Sequence, residues 1–201
     1  MTDHYYSENQ QSPLILKQIQ VTVNKSTFAI YTAPGIFSKS ELDKGTKLLI
    51  ESAQIQKSAS ILDLGCGYGI VGLELLKNNT NLHCTFTDIN NRALLLTQKN
   101  LELHKIKKEN YKIIHSNLYE NLKEKQFDVI LSNPPQSAGK DICIAIIQQA
   151  INHLKTNGSL QLVARPNKGG KTLAKEMKEI FSNLEIINRS SGFVVYKSVK
   201  E

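Results

Sequence analysis

The sequence predicts an α/β fold, a mostly parallel β-sheet with helices on both faces, preceded by an N-terminal β-hairpin. Three observations carry this prediction. Between residues 61 and 181 short apolar runs alternate with amphipathic segments. A glycine-rich run stands at the first strand-to-helix junction. Near the C-terminus two strand-like runs follow each other through a short turn, so the sheet closes on an antiparallel pair and an antiparallel final strand.

The elements follow in order. Gln18 to Tyr31 gives two alternating runs around Asn24-Lys25, the pattern of a hairpin. Thr32 to Ser38 holds a Pro-Gly turn without periodicity, and Ser40 is expected to cap a helix reaching about Ala53. Strands are expected at Ile61 to Leu64, Cys84 to Thr87, Tyr111 to His115, Phe127 to Leu131 and Ser159 to Ala164. Helical spacing fills 70–78, 91–104, 140–155 and 169–181. In the third of these, Cys143, Ile146, Ile147, Ala150, Ile151 and Leu154 fall on one helical face. Leu184 to Asn188 and Phe193 to Ser198 flank the turn Arg189-Ser190-Ser191-Gly192. With no internal repeat or interdomain linker, residues 14–201 read as a single domain with a hairpin extension over 14–38, and residues 1–13 as a mobile tail.

Composition narrows the classes. At 201 residues, 40% hydrophobic and 21% charged, the chain can bury a sizeable core and is unlike a disordered or collagenous sequence. A membrane helix needs ~18 uninterrupted apolar residues, and even Ile142 to Ile151 is broken by Gln148 and Gln149. No membrane partner is expected. Residues 1–13 lack the basic start and apolar run of a signal peptide, and Cys66, Cys84 and Cys143 form no C-x-x-C pair. A reducing, cytoplasmic setting without disulfides is expected. His4, His83, His104, His115 and His153 show no paired metal spacing, so no metal is predicted. The net charge of +7 favours an anionic partner such as nucleic acid. Only Arg92, Arg165 and Arg189 are arginine, which suits diffuse phosphate attraction better than bidentate base reading.

Ile61-Leu-Asp63-Leu-Gly65-Cys66-Gly67-Tyr-Gly69-Ile70 spans the first junction, where glycines let backbone N–H groups approach a ligand. A dinucleotide loop reads G-x-G-x-x-G and cradles a pyrophosphate. Here the spacing is G-x-G-x-G with an acid in front. Asp63 would repel a pyrophosphate and attract an ammonium group, such as the one on the amino-acid end of S-adenosylmethionine. Asp88 ends the next strand, 19 residues after Gly69 (88 minus 69), where an acid accepts from both ribose hydroxyls.

These residues resemble the class I S-adenosylmethionine-dependent methyltransferases, whose first motif is similar to D-L-G-C-G-Y-G. The resemblance covers nearly the whole chain and implies a Rossmann-like, seven-stranded sheet with an antiparallel final pair. It implies cofactor contacts from Asp63, Gly65, Cys66, Gly67, Gly69, Asp88 and Ile89, with Asn117 and Leu118 in the third motif. The family usually has an acid at Asn117 to meet the adenine amine. The asparagine carbonyl can still accept, without the charge.

Asp128-Val-Ile-Leu-Ser132-Asn133-Pro134-Pro135-Gln136 ends the fourth strand on the same sheet edge. An exocyclic amine or amide nitrogen attacks a methyl group poorly because its lone pair is delocalised. An Asn carbonyl and a Pro carbonyl that accept from its NH2 aim the nitrogen and stabilise its developing charge. Asn133 offers the side-chain acceptor and Pro134 the backbone one, while Pro135 stiffens the loop. Families with this motif usually carry Tyr or Phe next, to stack on the target ring. Here the residue is Gln136, so stacking must come from elsewhere, with Phe37 and Tyr31 as candidates.

Tyr31 to Ser38, Leu42-Asp-Lys-Gly-Thr46, Asn117-Leu-Tyr-Glu120 and Asn133-Pro-Pro resemble the small-subunit ribosomal RNA guanine-N2 methyltransferases, including short archaeal relatives. This likeness runs from about Phe28 to Lys197. It implies S-adenosylmethionine as cofactor and ribosomal RNA or the small ribosomal subunit as partner. Bacterial members often carry an additional N-terminal half, for which 201 residues leave no room, so RNA positioning is expected to differ. Two other readings stay open: transfer to a protein glutamine amide or adenine N6, and an inactive RNA-binding or ribosome-assembly module of the same fold.

Other features are less telling. Gly170-Lys171-Thr172 lacks the glycine, replaced by Arg165, that a phosphate-binding loop needs. Arg165, Lys168, Lys171 and Lys175 form either an RNA-phosphate patch or a solvated helix face. Cys66 lies inside the glycine loop and reads as a space-filling residue, not a nucleophile.

Overall fold

The computed structural model describes residues 5–38 and 41–201. The chain opens with β1 (Lys17–Val23) and β2 (Ser26–Thr32), an antiparallel pair in which Val23 faces Ser26. Asn24 and Lys25 both take positive φ, 49° and 65°, so the turn twists in the sense of its strands. The expected Ser40 cap lies outside the described residues. Helix α1 (Lys44–Ser52) is capped by Asp43, whose side chain accepts from Thr46 N–H at 2.8 Å.

From there strands and helices alternate: β3 (Ser60–Leu64), α2 (Ile70–Asn78), β4 (His83–Asp88), α3 (Asn91–Leu103), β5 (Tyr111–His115), β6 (Phe127–Ser132), α4 (Lys140–Ala150), β7 (Leu154–Ala164) and α5 (Gly170–Phe181). The chain ends with β8 (Glu185–Ser190) and β9 (Phe193–Val199). The seven-stranded sheet has the order β5-β4-β3-β6-β7-β9-β8, parallel up to β7 and antiparallel beyond, as expected.

Two boundaries correct the sequence reading. The fourth helix was expected to run to 155 but stops at Ala150, and Leu154 begins β7 instead of continuing the apolar stripe. His153 stacks on Tyr119 at 4.7 Å and its Nδ1 meets Lys125 O at 3.0 Å, which turns the chain out of the helix and lets Leu154 pair with Phe127. The C-terminal turn shrinks to Ser191-Gly192, because β8 pairs as far as Ser190.

One face of the sheet, with Ile61, Phe86, Val129 and Val195, is covered by α1, α2, α3 and the hairpin; the other, with Leu62, Ile130 and Leu162, by α4 and α5. Each strand sends alternate residues to opposite faces, so neighbouring apolar residues serve two cores. Phe86, Ile61, Leu62 and Ile130 are fully buried. Below the sheet, Asp128 accepts from Ser60 N–H and Oγ at 2.7 Å and from Lys155 Nζ at 2.8 Å, pinning β3 to β6 and β7. The strand order reverses between β3 and β6, and their carboxyl ends open the crevice where ligands bind in such folds.

Part of the stretch read as a tail over residues 1–13 lies among the described residues and makes contacts. Residues 5–12 lie against the carboxyl edge of the sheet, where Asn90 Nδ2 donates to Tyr5 O at 3.0 Å and Asn91 N–H to Glu8 O at 3.1 Å. Arg92 donates to Ser12 Oγ at 2.8 Å and to Pro34 O at 2.7 Å. Backbone carbonyls of the N-terminal segment and of Pro34 thus find donors at the start of α3.

Candidate active site

A pocket opens at the β3/β6 crevice, lined by the glycine loop, the ends of β4 and β5, the N-P-P loop and the N-terminal segment. Of the residues singled out in the sequence it brings together Phe37, Asp63, Gly65, Cys66, Gly67, Asp88, Ile89, Asn117, Leu118, Asn133, Pro134 and Pro135. Gly69, Gln136, Arg165, Lys168, Lys171 and Tyr31 do not line it. Gly69 instead caps α2 in the left-handed conformation, and a methyl group there would meet Thr97 at 2.8 Å.

Gly65 and Gly67 take φ of 70° and 58°, and a Cβ on either would meet nothing within 4 Å. Both therefore present bare backbone to open pocket, where a side chain would occupy ligand space. Thr97 Oγ1 donates to Gly67 O at 3.0 Å and holds the loop from α3. Asp63 is 2% exposed and its Oδ2 accepts from Gly72 N–H at 3.0 Å, which ties the strand end to the first turn of α2. Asp88 Oδ2 accepts from Gly67 N–H and Oδ1 from Asn90 N–H, both at 2.9 Å. Ile89 N–H also bonds this carboxylate, so Asp88 retains only part of its acceptor capacity.

Burial sets the electrostatics. It pushes the Asp63 carboxyl up to about 7, against the Gly72 N–H bond and helped by the nearby Asp88 charge. Burial likewise lifts Asp88 to about 6, while the N–H groups of Asn90 and Gly67 favour its ionised form. In their ionised forms the two acids give the wall of the glycine loop a negative potential suited to a cationic ligand, whose charge would in turn favour their ionisation. Burial also raises the Cys66 thiol well above its ordinary value, the opposite of an activated nucleophile.

On the far side, Asn133 Nδ2 donates to Thr46 Oγ1 at 2.8 Å and to Asp43 Oδ2 at 3.1 Å. A carboxylate only accepts, so Asp43 fixes which end of the amide is nitrogen. Asn133 Oδ1 then points the other way, and among the described residues nothing donates to it. Pro134 O accepts from Gln136 N–H at 2.8 Å across Pro135, whose φ of -74° and ψ of 77° make an inverse γ-turn. That turn sets the direction of the carbonyl and leaves it one further acceptor site.

Asn117 is exposed, its Nδ2 bound to Glu120 Oε1 at 2.9 Å, which leaves its carbonyl oxygen for a ligand amine. Gln136 turns away from the pocket. Its Nε2 donates to Lys168 O at 2.8 Å and its Oε1 accepts from Arg165 N–H at 3.2 Å, clasping the N-P-P loop to the loop after β7. Arg165, Lys168 and Lys171 stand exposed on that second loop and the start of α5, with the Arg165 guanidinium 4.5 Å from the centre of the Phe193 ring.

Sequence reasoning missed Asp43 and Thr46, Asn90, and the pocket residues Tyr5, Tyr6 and Tyr68. Asp43 and Thr46 carry the spacing of an N-cap and its third helical residue, which is a readable signal. Their partnership with Asn133 carries none. Among the described residues no group of His, Cys, Asp and Glu could hold a metal, and no helix is long and apolar enough to cross a membrane.

Sheet order, glycine cradle and N-P-P loop together define a methyltransferase-type domain of the Rossmann-like class. The chain belongs to the Methyltransferase small domain family, which it matches over residues 27–197. It is 33% identical over 202 residues to the uncharacterized protein YbxB of Bacillus subtilis, with all of both chains covered. It is 34% identical over 204 residues to ribosomal RNA small subunit methyltransferase C of Haemophilus influenzae, covering 98% of this chain and 59% of the relative. Against the same-named protein of Psychromonas ingrahamii the identity is 32%, covering 92% of this chain and 52% of the relative. The chain therefore spans only a little over half the length of these named methyltransferases. In fold it is similar to the T. thermophilus 16S rRNA N2 G1207 methyltransferase solved with AdoMet and guanosine, at TM-score 0.82 and 24% identity, covering 96% of this chain and 52% of that one.

Proposed function

We propose that this protein is an S-adenosylmethionine-dependent methyltransferase that modifies an exocyclic amine, guanine N2 of small-subunit ribosomal RNA. The observation that carries the reading is the locked Asn133 amide, with its nitrogen committed to Asp43 and Thr46 and its oxygen left to accept. The relatives named ribosomal RNA small subunit methyltransferase C support the choice of RNA.

The residues present fit the cofactor. Gly65 and Gly67 offer open backbone, Asp88 presents a pocket-lining carboxylate that can accept from the ribose, and Asn117 keeps a free carbonyl for the adenine amine. Once ionised, Asp63 and Asp88 favour an ammonium group beside them, and its charge offsets the burial that raises both carboxyls. When bound, S-adenosylmethionine supplies a methyl group on a positively charged sulfur, an electrophile with a neutral leaving group. Asn133 Oδ1 and Pro134 O accept the two hydrogens of the target NH2, which draws lone-pair density back onto nitrogen. As the nitrogen becomes positive on methylation, the same two oxygens stabilise it, and it then releases a proton to water. No side chain need act as a base beforehand. Arg165, Lys168 and Lys171 contribute phosphate contacts on the loop that Gln136 clasps.

The test is transfer of radiolabelled methyl to unmodified ribosomal RNA and small subunits, followed by nucleoside analysis, with Asn133→Ala as control. Label in N2-methylguanosine that disappears in the variant is expected. Label in protein with RNA silent would overturn the RNA reading in favour of a glutamine amide, and no cofactor binding would favour an inactive module.

A further inference from the structure

The loop after Pro135 lacks an aromatic residue, and the structure shows where one comes from. Gln136 is held at both ends of its amide by the Arg165–Lys168 loop and does not line the pocket. Tyr5 lines the pocket together with Phe37, Asn133, Pro134 and Pro135. Its hydroxyl lies 2.7 Å from Ser137 Oγ, one residue beyond Gln136. Its ring packs on Phe37 with centroids 5.3 Å apart, and Phe37 is itself 40% exposed at the pocket. Tyr6 braces the Tyr5 ring edge-on at 5.2 Å.

We propose that Tyr5, held by the N-terminal segment, supplies with Phe37 the aromatic face on which the base bearing the target amine rests. This rests on the function proposed above. Three consecutive residues anchor the segment that presents it. Asn90 Nδ2 holds Tyr5 O at 3.0 Å and Gly35 O at 3.2 Å, Asn91 N–H holds Glu8 O at 3.1 Å, and Arg92 holds Ser12 Oγ at 2.8 Å. They directly follow Asp88-Ile89, so one strand end carries both the acid for the cofactor ribose and the mount for Tyr5. The Tyr5 hydroxyl bonds Ser137 at 2.7 Å, beside the N-P-P loop that holds the proposed amine acceptors, and this contact links the ring to the acceptor side of the pocket. A phenol with its hydroxyl tethered offers a flat apolar face at low conformational cost, and every base has a π-face to meet it.

The test uses the full chain saturated with S-adenosylhomocysteine, in the wild type and in Tyr5→Ala and Tyr5→Phe. Guanosine binding and S-adenosylhomocysteine binding are each measured by calorimetry, and steady-state kinetics are run with ribosomal RNA. Losing one stack is expected to weaken guanosine binding and raise KM for RNA about 10-fold in Tyr5→Ala. Tyr5→Phe keeps the ring but loses the Ser137 bond and should lose clearly less guanosine affinity than Tyr5→Ala, and S-adenosylhomocysteine affinity should be unchanged in both. Wild-type guanosine affinity in Tyr5→Ala overturns the proposal. So does an equal loss of S-adenosylhomocysteine affinity, which would make the segment a cofactor cover. A wild type that binds guanosine but methylates no RNA refutes the proposed function while the Tyr5 comparison still stands, and one that binds neither guanosine nor RNA overturns both.

Discussion

Replacing Asp43 by alanine separates orientation of the amide acceptor from binding of the cofactor. One oxygen, Asp43 Oδ2, accepts from Thr46 N–H at 2.8 Å, from Thr46 Oγ1 at 3.2 Å and from Asn133 Nδ2 at 3.1 Å. Its removal uncaps α1, at a cost of about 1 kcal/mol of stability. It also leaves the Asn133 amide with the Thr46 hydroxyl alone, which can donate as well as accept, so either end of the amide can face the pocket. A hydrogen bond to a charged group contributes about 1.5–3 kcal/mol, and spent on orientation that is about 10- to 100-fold in kcat. Asp43→Asn retains one side-chain oxygen in the same place and should recover most of the rate. Single-turnover methyl transfer, urea denaturation and cofactor calorimetry read the three quantities independently, with cofactor affinity expected to hold. A wild-type kcat in Asp43→Ala would refute the orientation argument.

Three further predictions concern Asp63, the glycine loop and the start of α2. Because the folded protein holds Asp63 near 7, above its ordinary value of 3.8, the folded state binds more protons than the unfolded state between those values. Ionising Asp63 therefore costs stability progressively as pH rises from about 4 to 7, and Asp63→Asn should show a higher Tm than the ligand-free wild type at pH 8, with the gap closing as pH approaches 4. A pH-independent gap would contradict this cause. Gly67→Ala should fold, at the roughly 1–2 kcal/mol cost of a left-handed alanine, yet lose cofactor affinity, since its Cβ enters open pocket. Gly72→Ala should do the reverse in origin, unfolding at much lower urea because its Cβ would sit 2.4 Å from the Phe86 ring. Equal Tm for the two variants would show that the loop's spacing is not what separates them.

What could be read along the chain was local. The Asn24-Lys25 turn, the G-x-G-x-G junction after β3, Asp88 at the end of β4 and the Asn133-Pro134-Pro135 run each declare themselves through backbone demands or hydrophobic period within a few residues. So does the sheet class, because apolar strands alternating with amphipathic helices leave few ways to bury both faces. The misplaced end of α4 shows the limit: Leu154 fits the helical stripe, and only its pairing with Phe127 and the His153 contact with Tyr119 put it in β7.

The sequence by itself determined the fold class, the glycine loop and the N-P-P turn, since those follow from conformations a short segment must adopt. Tertiary structure alone decided how the Asn133 amide is oriented, what Gln136 does and where the N-terminal segment goes. Asp43 and Asn133 are 90 residues apart, Gln136 and Lys168 32, and Tyr5 and Ser137 132. Side-chain hydrogen bonds across such separations obey no period and carry no propensity; they exist only because the carboxyl edge of the sheet gathers distant loops around one crevice.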